Sequence, residues 1–195
     1  MIIIFGATGQ AKICYDIITE TKCENTIAFF DYDKTLDTPI PRIPLYHTSY
    51  YNKWIKNNNP PHYFVIAIGL PWGKERLEIH RKLSIGGNIP LSLQHPLSYK
   101  DYNVSIGNGY QISYGASILC HSKIGIQCII NTKASIDHDC NIGNGCEIGP
   151  MATLCGNVTL DNNVWIGANS TILPNLSIGD NSVVGAGSVL TKNIL

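Results

Sequence analysis

One histidine in this sequence stands where an imidazole could act as a base. His138 lies between Asp137 and Asp139, two residues after Ile136. An imidazole titrates near neutral pH, and a neighbouring carboxylate can fix its tautomer and raise its basicity. His138 and Asp139 are therefore candidates for general base catalysis, and a purely structural histidine between two acidic residues is the open alternative.

A glycine-containing turn near the N terminus is a candidate for binding an anion. The segment Gly6–Gly9 (GATG) lies between an apolar run and an amphipathic stretch. A turn between a strand and a helix directs backbone N–H groups toward a bound phosphate. Asp31, at the end of the next apolar run, could accept a hydrogen bond from a ribose or a base. The spacing is not GxGxxG, which favours a mononucleotide over a dinucleotide, and a turn that binds nothing is the alternative.

The overall composition excludes several classes of protein. The 14 basic and 14 acidic residues give zero net charge, which argues against a nucleic-acid partner. No apolar run approaches the ~18 residues of a membrane span. The N terminus has no basic segment before its apolar run, so we predict a strand there and not a signal peptide. The seven cysteines form no CxxC pair. They predict buried thiols, a reducing cytoplasmic compartment and no metal site.

An aliphatic residue recurs at every sixth position from Ile106 to Leu190, and a small residue usually stands two positions before it. This period is neither that of a helix nor that of a simple strand. It predicts short strands separated by turns, three of which close a triangular coil. The fifteen repeats therefore predict five coils of parallel strands over residues 104–195, with the small residues, Cys128, Cys140 and Cys146 among them, packed inside.

Residues 1–103 are predicted to form a separate, small α/β domain. The predicted elements are strands at Ile2–Phe5, Ile27–Phe30 and Tyr63–Ile68 and helices at Ala11–Glu20 and Gly73–Leu83. This alternation predicts a Rossmann-like βαβαβ unit with a parallel sheet. Gly69 follows the third strand, so it should lie at the same edge of the sheet as Gly6 and Asp31.

This combination resembles the bacterial nucleotide-sugar acetyltransferases, which include the bacillosamine and perosamine N-acetyltransferases and the sialic acid O-acetyltransferases. The resemblance covers nearly the whole chain. Its most specific segments are Asn131-Thr132, Ile136–Cys140, Gly156–Val158, Trp165–Ala168 and Leu173–Asn175. The resemblance implies a left-handed β-helix after the Rossmann-like domain, acetyl-CoA as co-substrate, and a homotrimer with acetyl-CoA bound between adjacent β-helices.

The same resemblance assigns roles to individual residues. It makes His138 the general base and Asp139 the residue that tunes it. The implied contacts to the nucleotide sugar are Gly6, Thr8, Gly9, Gln10, Asp31, Tyr32, Gly69 and Asn131. The implied contacts to acetyl-CoA are Glu147, Gly156, Ala168 and Ala186. Glu147 and Gln10 depart from the family, which commonly has a histidine at each of these positions.

These observations predict an acetyl-CoA-dependent N-acetyltransferase. Its expected acceptor is the amino group of a nucleotide-linked 4-amino-dideoxy sugar, with UDP as the expected nucleotide and direct transfer as the expected route. Two alternatives stay open. One is O-acetylation of a sialic acid or another sugar hydroxyl, and the other is a non-catalytic hexapeptide-repeat scaffold that binds a sugar.

Overall fold

A computed structural model describes residues 1–22, 27–58, 61–69 and 71–195 of the chain. Its first part is an α/β domain. The strands of this domain are β1 (Ile2–Phe5), β2 (Ile27–Asp31), β3 (Leu45–His47), β4 (Tyr63–Ile66) and β5 (Ile89–Pro90). Its helices are α1 (Gly9–Glu20), α2 (Tyr51–Asn58) and α3 (Gly73–Ile85), with a 3-10 turn at Thr48–Tyr50. None of the described helices is both long enough and apolar enough to cross a membrane.

The five strands form one parallel sheet in the order β3-β2-β1-β4-β5. The central strand β1 is apolar at every position because both faces of the sheet are covered. Ile2 and Ile4 pack with the buried side of α1, and Ile3 and Phe5 pack on the opposite face with side chains of α2 and α3. The strand order reverses between β1 and β4, and an open α/β sheet binds its ligands beside such a point.

The second part of the chain is a left-handed parallel β-helix built from two-residue strands. These strands are β6 (Leu93–Gln94), β7 (Tyr99–Lys100), β8 (Ser105–Ile106), β9 (Gln111–Ile112), β10 (Ser117–Ile118), β11 (Lys123–Ile124), β12 (Ile129–Ile130), β13 (Ser135–Ile136), β14 (Asn141–Ile142), β15 (Glu147–Ile148), β16 (Thr153–Leu154), β17 (Thr159–Leu160), β18 (Trp165–Ile166), β19 (Thr171–Ile172), β20 (Ser177–Ile178), β21 (Val183–Val184) and β22 (Val189–Leu190). The fold class predicted from the sequence is confirmed.

The coil strands form three parallel sheets, which are the faces of a triangular prism. Face 1 contains β6, β9, β12, β15, β18 and β21; face 2 contains β7, β10, β13, β16, β19 and β22; face 3 contains β8, β11, β14, β17 and β20. The aliphatic residue that recurs at every sixth position is the second residue of a strand. From Ile112 to Val184 all of these aliphatic side chains are buried. The coils begin at Leu93, so the boundary predicted at residue 103 lies too late.

The turns of the coils use a left-handed backbone conformation, which the spacing of the aliphatic residues does not indicate. From Ile106 to Val184, the third residue after the aliphatic of each strand has a positive φ, whether it is Gly115, Asn157 or Asp139. Gly and Asn adopt this conformation at low cost, which explains why they are frequent at this position. The value of +61° at Asp139 therefore belongs to the regular turn of the repeat.

The α/β domain packs on face 1 of the prism through polar contacts. The side chain of Gln111, on β9, donates to the carbonyl of Ile66 and accepts from the side-chain amide of Gln10, both at 2.8 Å. Arg76, on α3, is 1% exposed and donates from Nη2 to the carbonyl of Gly145 at 2.7 Å. These buried hydrogen bonds fix the position of the α/β domain relative to the coils.

Two strands and one helix of the α/β domain were not predicted. The sequence interpretation missed β3, α2 and β5, and it found β1, β2, β4, α1 and α3 with small differences in their ends. The aromatic cluster formed by Phe5, Phe30 and Trp54 holds α2 against the sheet. When tertiary packing of this kind stabilises a helix, the local sequence gives only a weak signal for it.

Candidate active site

A cleft of about 1130 Å³ opens at the edge of the sheet where β1, β2 and β4 end. Seven of the residues predicted to bind substrate or acetyl-CoA line it, namely Gly6, Thr8, Gln10, Asp31, Tyr32, Gly69 and Glu147. The walls also include side chains that the sequence interpretation did not single out, namely Asp33, Tyr51, Asn52, Trp72, Ile79 and Leu83. Gly9, the first residue of α1, and Asn131, in a coil turn, lie outside this lining in the described part of the chain.

The turn after β1 requires a glycine. Gly6 has a φ of +106°, and a Cβ atom there would overlap the carbonyl oxygen of Ala67, which follows β4. Thr8, at the start of α1, makes no side-chain capping hydrogen bond to the helix. The side chain of Thr8 therefore leaves the N terminus of α1 open, and the binding of an anion there stays a prediction.

Asp31 has a structural role in addition to its position in the cleft. One of its carboxylate oxygens accepts from the backbone N–H of Ala7 at 2.8 Å, and the other accepts from the N–H of Asp33 at 3.0 Å. The carboxylate thus joins the turn after β1 to the turn after β2. Tyr32 is 79% exposed beside it, so its ring is free to stack on a flat ligand.

If the cleft binds the expected nucleotide sugar, replacing Asp31 with Ala should raise KM for that substrate about tenfold or more, because both turns that shape the cleft lose a hydrogen-bond acceptor. KM for acetyl-CoA should stay near the wild-type value. Steady-state kinetics with each substrate varied in turn would measure both constants. A raised KM for acetyl-CoA with an unchanged KM for the sugar would contradict this assignment.

The imidazole of His138 lies at the corner between faces 2 and 3, in the turn between β13 and β14. Its Nδ1 is 2.8 Å from Oδ2 of Asp139, and its backbone N–H donates to Oδ1 of Asp137 at 2.7 Å. The carboxylate of Asp139 accepts a hydrogen bond from Nδ1–H, so Nε2 is the basic nitrogen. The hydrogen bond to Asp139 raises the pKa of His138 above its usual value, and the charge of Asp137 adds to this effect.

Gly156 leaves room for the imidazole in the next coil. A Cβ atom at Gly156 would stand 2.7 Å from both Nε2 and Cε1 of His138, which is closer than such atoms approach. The turn itself is fixed by the coils on either side, because Asp139 N–H donates to the carbonyl of Cys120 and Asn157 N–H to that of His138. The imidazole is half exposed at this corner, and it packs against the backbone of Gly156.

The predicted site residues fall into three separate places within one chain. The cleft lies beside face 1, and the corner with His138, Asp139 and Gly156 is opposite that face. Ala168 and Ala186 lie one above the other at the corner between faces 1 and 2, where Gly187 N–H donates to Ala168 O. Glu147 points away from the coil axis into the cleft, on a different side of the prism from His138.

The cysteines that the structure describes are free thiols. Cys14, Cys128, Cys140 and Cys146 are buried, Cys120 and Cys155 are partly exposed, and Cys23 lies outside the described residues. The predicted inward position of Cys128, Cys140 and Cys146 is confirmed. Within the described ranges, no three His, Cys, Asp or Glu side chains are grouped so that they could hold a metal ion.

Each of the two domains matches a known protein family. The chain matches the PglD N-terminal domain over residues 1–83 and the bacterial transferase hexapeptide (six repeats) over residues 157–192. A search of curated protein sequences found no match.

Solved structures match over almost the whole length. A variant of perosamine N-acetyltransferase from Caulobacter crescentus, in complex with CoA and GDP-perosamine, is 27% identical, with a TM-score of 0.89, over 99% of this chain and 89% of that one. The acetyltransferase domain of PglB from Neisseria gonorrhoeae, in complex with acetyl coenzyme A, is 23% identical, with a TM-score of 0.88, over 99% and 91%. WeeI from Acinetobacter baumannii is 24% identical, with a TM-score of 0.88, over 100% and 92%.

The last two structures establish the fold, and the first is a sugar N-acetyltransferase that has the same fold. The chain combines this fold with a PglD-type first domain and hexapeptide repeats in the second. It is therefore an acyltransferase, and its two domains are similar to those of the amino-sugar acetyltransferases.

Proposed function

We propose that the chain transfers the acetyl group of acetyl-CoA to the amino group of a nucleotide-linked amino sugar, with His138 as the general base. The observation that carries the proposal is the corner at His138. Its Nδ1 is paired with Asp139, and Nε2 lies over Gly156, where a substrate can approach. Acceptor deprotonation in acyl transfer needs a base of this kind, with a pKa near neutrality.

We propose the following course for the reaction. The sugar nitrogen attacks the thioester carbonyl and its proton moves to Nε2 of His138, while Asp139 stabilises the imidazolium that forms. The carbonyl oxygen becomes negatively charged, and the backbone N–H of Gly156 is our proposed donor to it. When the C–S bond breaks, the proton on Nε2 is transferred to the departing sulfur.

Direct transfer is preferred over an acyl-enzyme on Cys146. Cys146 is buried in the coil core, and its hydrogen bond with Cys128 together with burial raises the pKa of its thiol. A buried thiol with a raised pKa is a poor nucleophile, because the thiolate is the reactive form.

A homotrimer is part of the proposal, because one chain holds the cleft and the base on opposite sides of its prism. Association about a three-fold axis would bring His138 of one chain toward the cleft of the next, and acetyl-CoA would lie between adjacent β-helices, near Ala168 and Ala186. Sedimentation equilibrium should give three times the 21.4 kDa of the chain. A monomer at micromolar concentration would contradict the shared site.

A thiol-release assay with acetyl-CoA tests the proposed reaction directly. The acceptors are UDP- and GDP-linked 4-amino sugars, the matching 4-hydroxy sugars and a free sialic acid. Thiol release that needs the amino group supports N-acetylation, and the nucleotide comparison tests UDP, the nucleotide predicted from the sequence. Thiol release with the hydroxyl acceptors alone would establish O-acetylation. Thiol release with none of the acceptors would favour the alternative of a non-catalytic scaffold that binds a sugar.

The pH dependence of this activity should reflect the pair of His138 and Asp139. His138 must be neutral to accept a proton, so kcat/KM should fall as the pH drops through its raised pKa. In Asp139→Asn the main cause of that raised pKa is lost. The acidic limb of the pH profile of kcat/KM should therefore move to lower pH. The rate should also fall at least about tenfold, because Asn no longer fixes the tautomer of the imidazole.

Asp137→Asn is the matched control for this measurement. Asp137 contributes to the raised pKa of His138 less than Asp139 does, so the acidic limb should move in the same direction by a smaller amount. If the limb of Asp139→Asn coincides with that of the wild type, a group other than His138 controls the acidic side of the profile.

A further inference from the structure

A buried carboxylate stands in the wall of the cleft, and one of its two oxygens lacks a hydrogen-bond donor. Glu147 begins strand β15 on face 1, directly below the α/β domain, and its side chain is 6% exposed. Its Oε2 atom makes no hydrogen bond to any of the residues that the structure describes. A buried acceptor without a donor is costly, and it is rare in folded proteins.

Arg76 balances the charge of Glu147 but does not supply that donor. The guanidinium donates to four backbone carbonyls, those of Ile68, Gln127, Gly145 and Cys146, at 2.7 to 3.3 Å. Its distance to the carboxylate, from Nη1 to Oε2, is 3.7 Å, which is too long for a hydrogen bond. Arg76 therefore uses its hydrogen bonds to hold the two domains together, and Oε2 of Glu147 remains without a hydrogen-bond donor.

Burial makes the free carboxylate suited to a cationic ligand. Burial raises the pKa of Glu147 to about 7, although the charge of Arg76 and a hydrogen bond from Asn131 oppose this shift. A second positive charge placed at Oε2 would offset the cost of keeping the group ionised.

Space in front of the carboxylate is kept open by Gly69, in the segment between β4 and α3. A Cβ atom at Gly69 would stand 3.8 Å from both oxygens of Glu147, in ordinary van der Waals contact with them. Gly69 and Glu147 both line the cleft, so the side chain of Glu147 forms part of the wall that a ligand in the cleft contacts.

We propose that Glu147 binds the amino group of the acceptor sugar and thereby selects an amine over a hydroxyl. The inference rests on the proposed function, because it takes the acceptor to be an amino sugar. An ammonium offers three N–H donors and a charge, whereas a hydroxyl offers one donor and no charge. A carboxylate also accepts from a neutral amine, so Glu147 holds the nitrogen both before and after it is deprotonated.

Binding without turnover tests this role. Isothermal titration would measure the affinity of wild-type protein and Glu147→Gln for three probes: a nucleoside diphosphate, its 4-amino sugar conjugate and its 4-hydroxy sugar conjugate. Wild-type protein should bind the amino conjugate about tenfold more tightly than the hydroxy conjugate, since charge-assisted hydrogen bonds are about twice as strong as neutral ones. Glu147→Gln should bind both conjugates equally and keep its affinity for the nucleoside diphosphate.

A second variant separates this role from the ion pair with Arg76. Gly69→Ala leaves Glu147 and Arg76 in place, and the backbone at this position allows an alanine. It should reduce the preference for the amino conjugate by limiting access to the carboxylate, with little change in melting temperature. An unchanged preference in both variants, or an equal loss for all three probes, would overturn the inference. A wild-type protein that binds none of the probes would overturn the proposed function itself.

Discussion

Replacing His138 with Ala should lower kcat/KM about 10²- to 10⁴-fold, the usual contribution of a general base. The loss should appear in kcat with little change in either KM, because the imidazole acts on the proton that moves in the transition state. The fold should be retained, since the imidazole is half exposed on a turn that backbone hydrogen bonds already fix. A thiol-release assay and a melting curve on the same preparation would measure both effects.

His121→Ala is the matched control for this variant. His121 occupies a left-handed turn position at the same corner, one coil earlier, and it is exposed. Its removal should leave the rate within about twofold, as is usual for surface changes away from special features. A His138→Ala variant that is as active as His121→Ala would remove the assignment of the base.

Two inactive variants should restore activity to each other when their subunits are mixed. The first is His138→Ala, and the second is Ala168→Trp, which blocks the corner between faces 1 and 2. If each site takes the base from one chain and the acetyl-CoA contacts from the next, random reassembly into trimers leaves about a quarter of the sites intact. Mixing should therefore recover about a quarter of the wild-type rate from two preparations that are each nearly inactive.

The mixing experiment needs evidence that subunits exchange. Native mass spectrometry of the refolded mixture, with a tag on one variant, would detect trimers of mixed composition. If mixed trimers form and the rate does not recover, each active site is built within a single chain. The separation between the cleft and the His138 corner would then need another explanation.

The coils from Ile106 onward were predictable because each of them obeys the same constraint. A side chain at every sixth position must enter a narrow interior, so Ile, Leu or Val recurs from Ile106 to Leu190. The first two strands of the coils, at Leu93 and Tyr99, escaped this pattern. Tyr99 and Lys100 on β7 are not aliphatic, and Leu93 packs with the core of the α/β domain.

The site was predictable in its local chemistry and not in its arrangement. The pairing of His138 with Asp139 needs only adjacent residues, and the stacking on Gly156 follows from the spacing of 18 residues. The position of Glu147 could not be predicted, because it depends on the face of the prism that the α/β domain covers. Arg76 carries no local signal among the charged residues of α3, and only the packed structure shows its role between the domains.

The triangular cross-section also restricts how this chain can change its length. Residues 18 apart lie in register in successive coils, and residues six apart lie on different faces. Loss of six residues would turn every later strand by one face and carry Ala168 away from its corner. Gain of 18 residues would add one full coil of about 4.8 Å and leave each later corner facing the same direction. Viable insertions and deletions within the prism should therefore come as whole coils, so that related enzymes differ in height while their corners keep the same order.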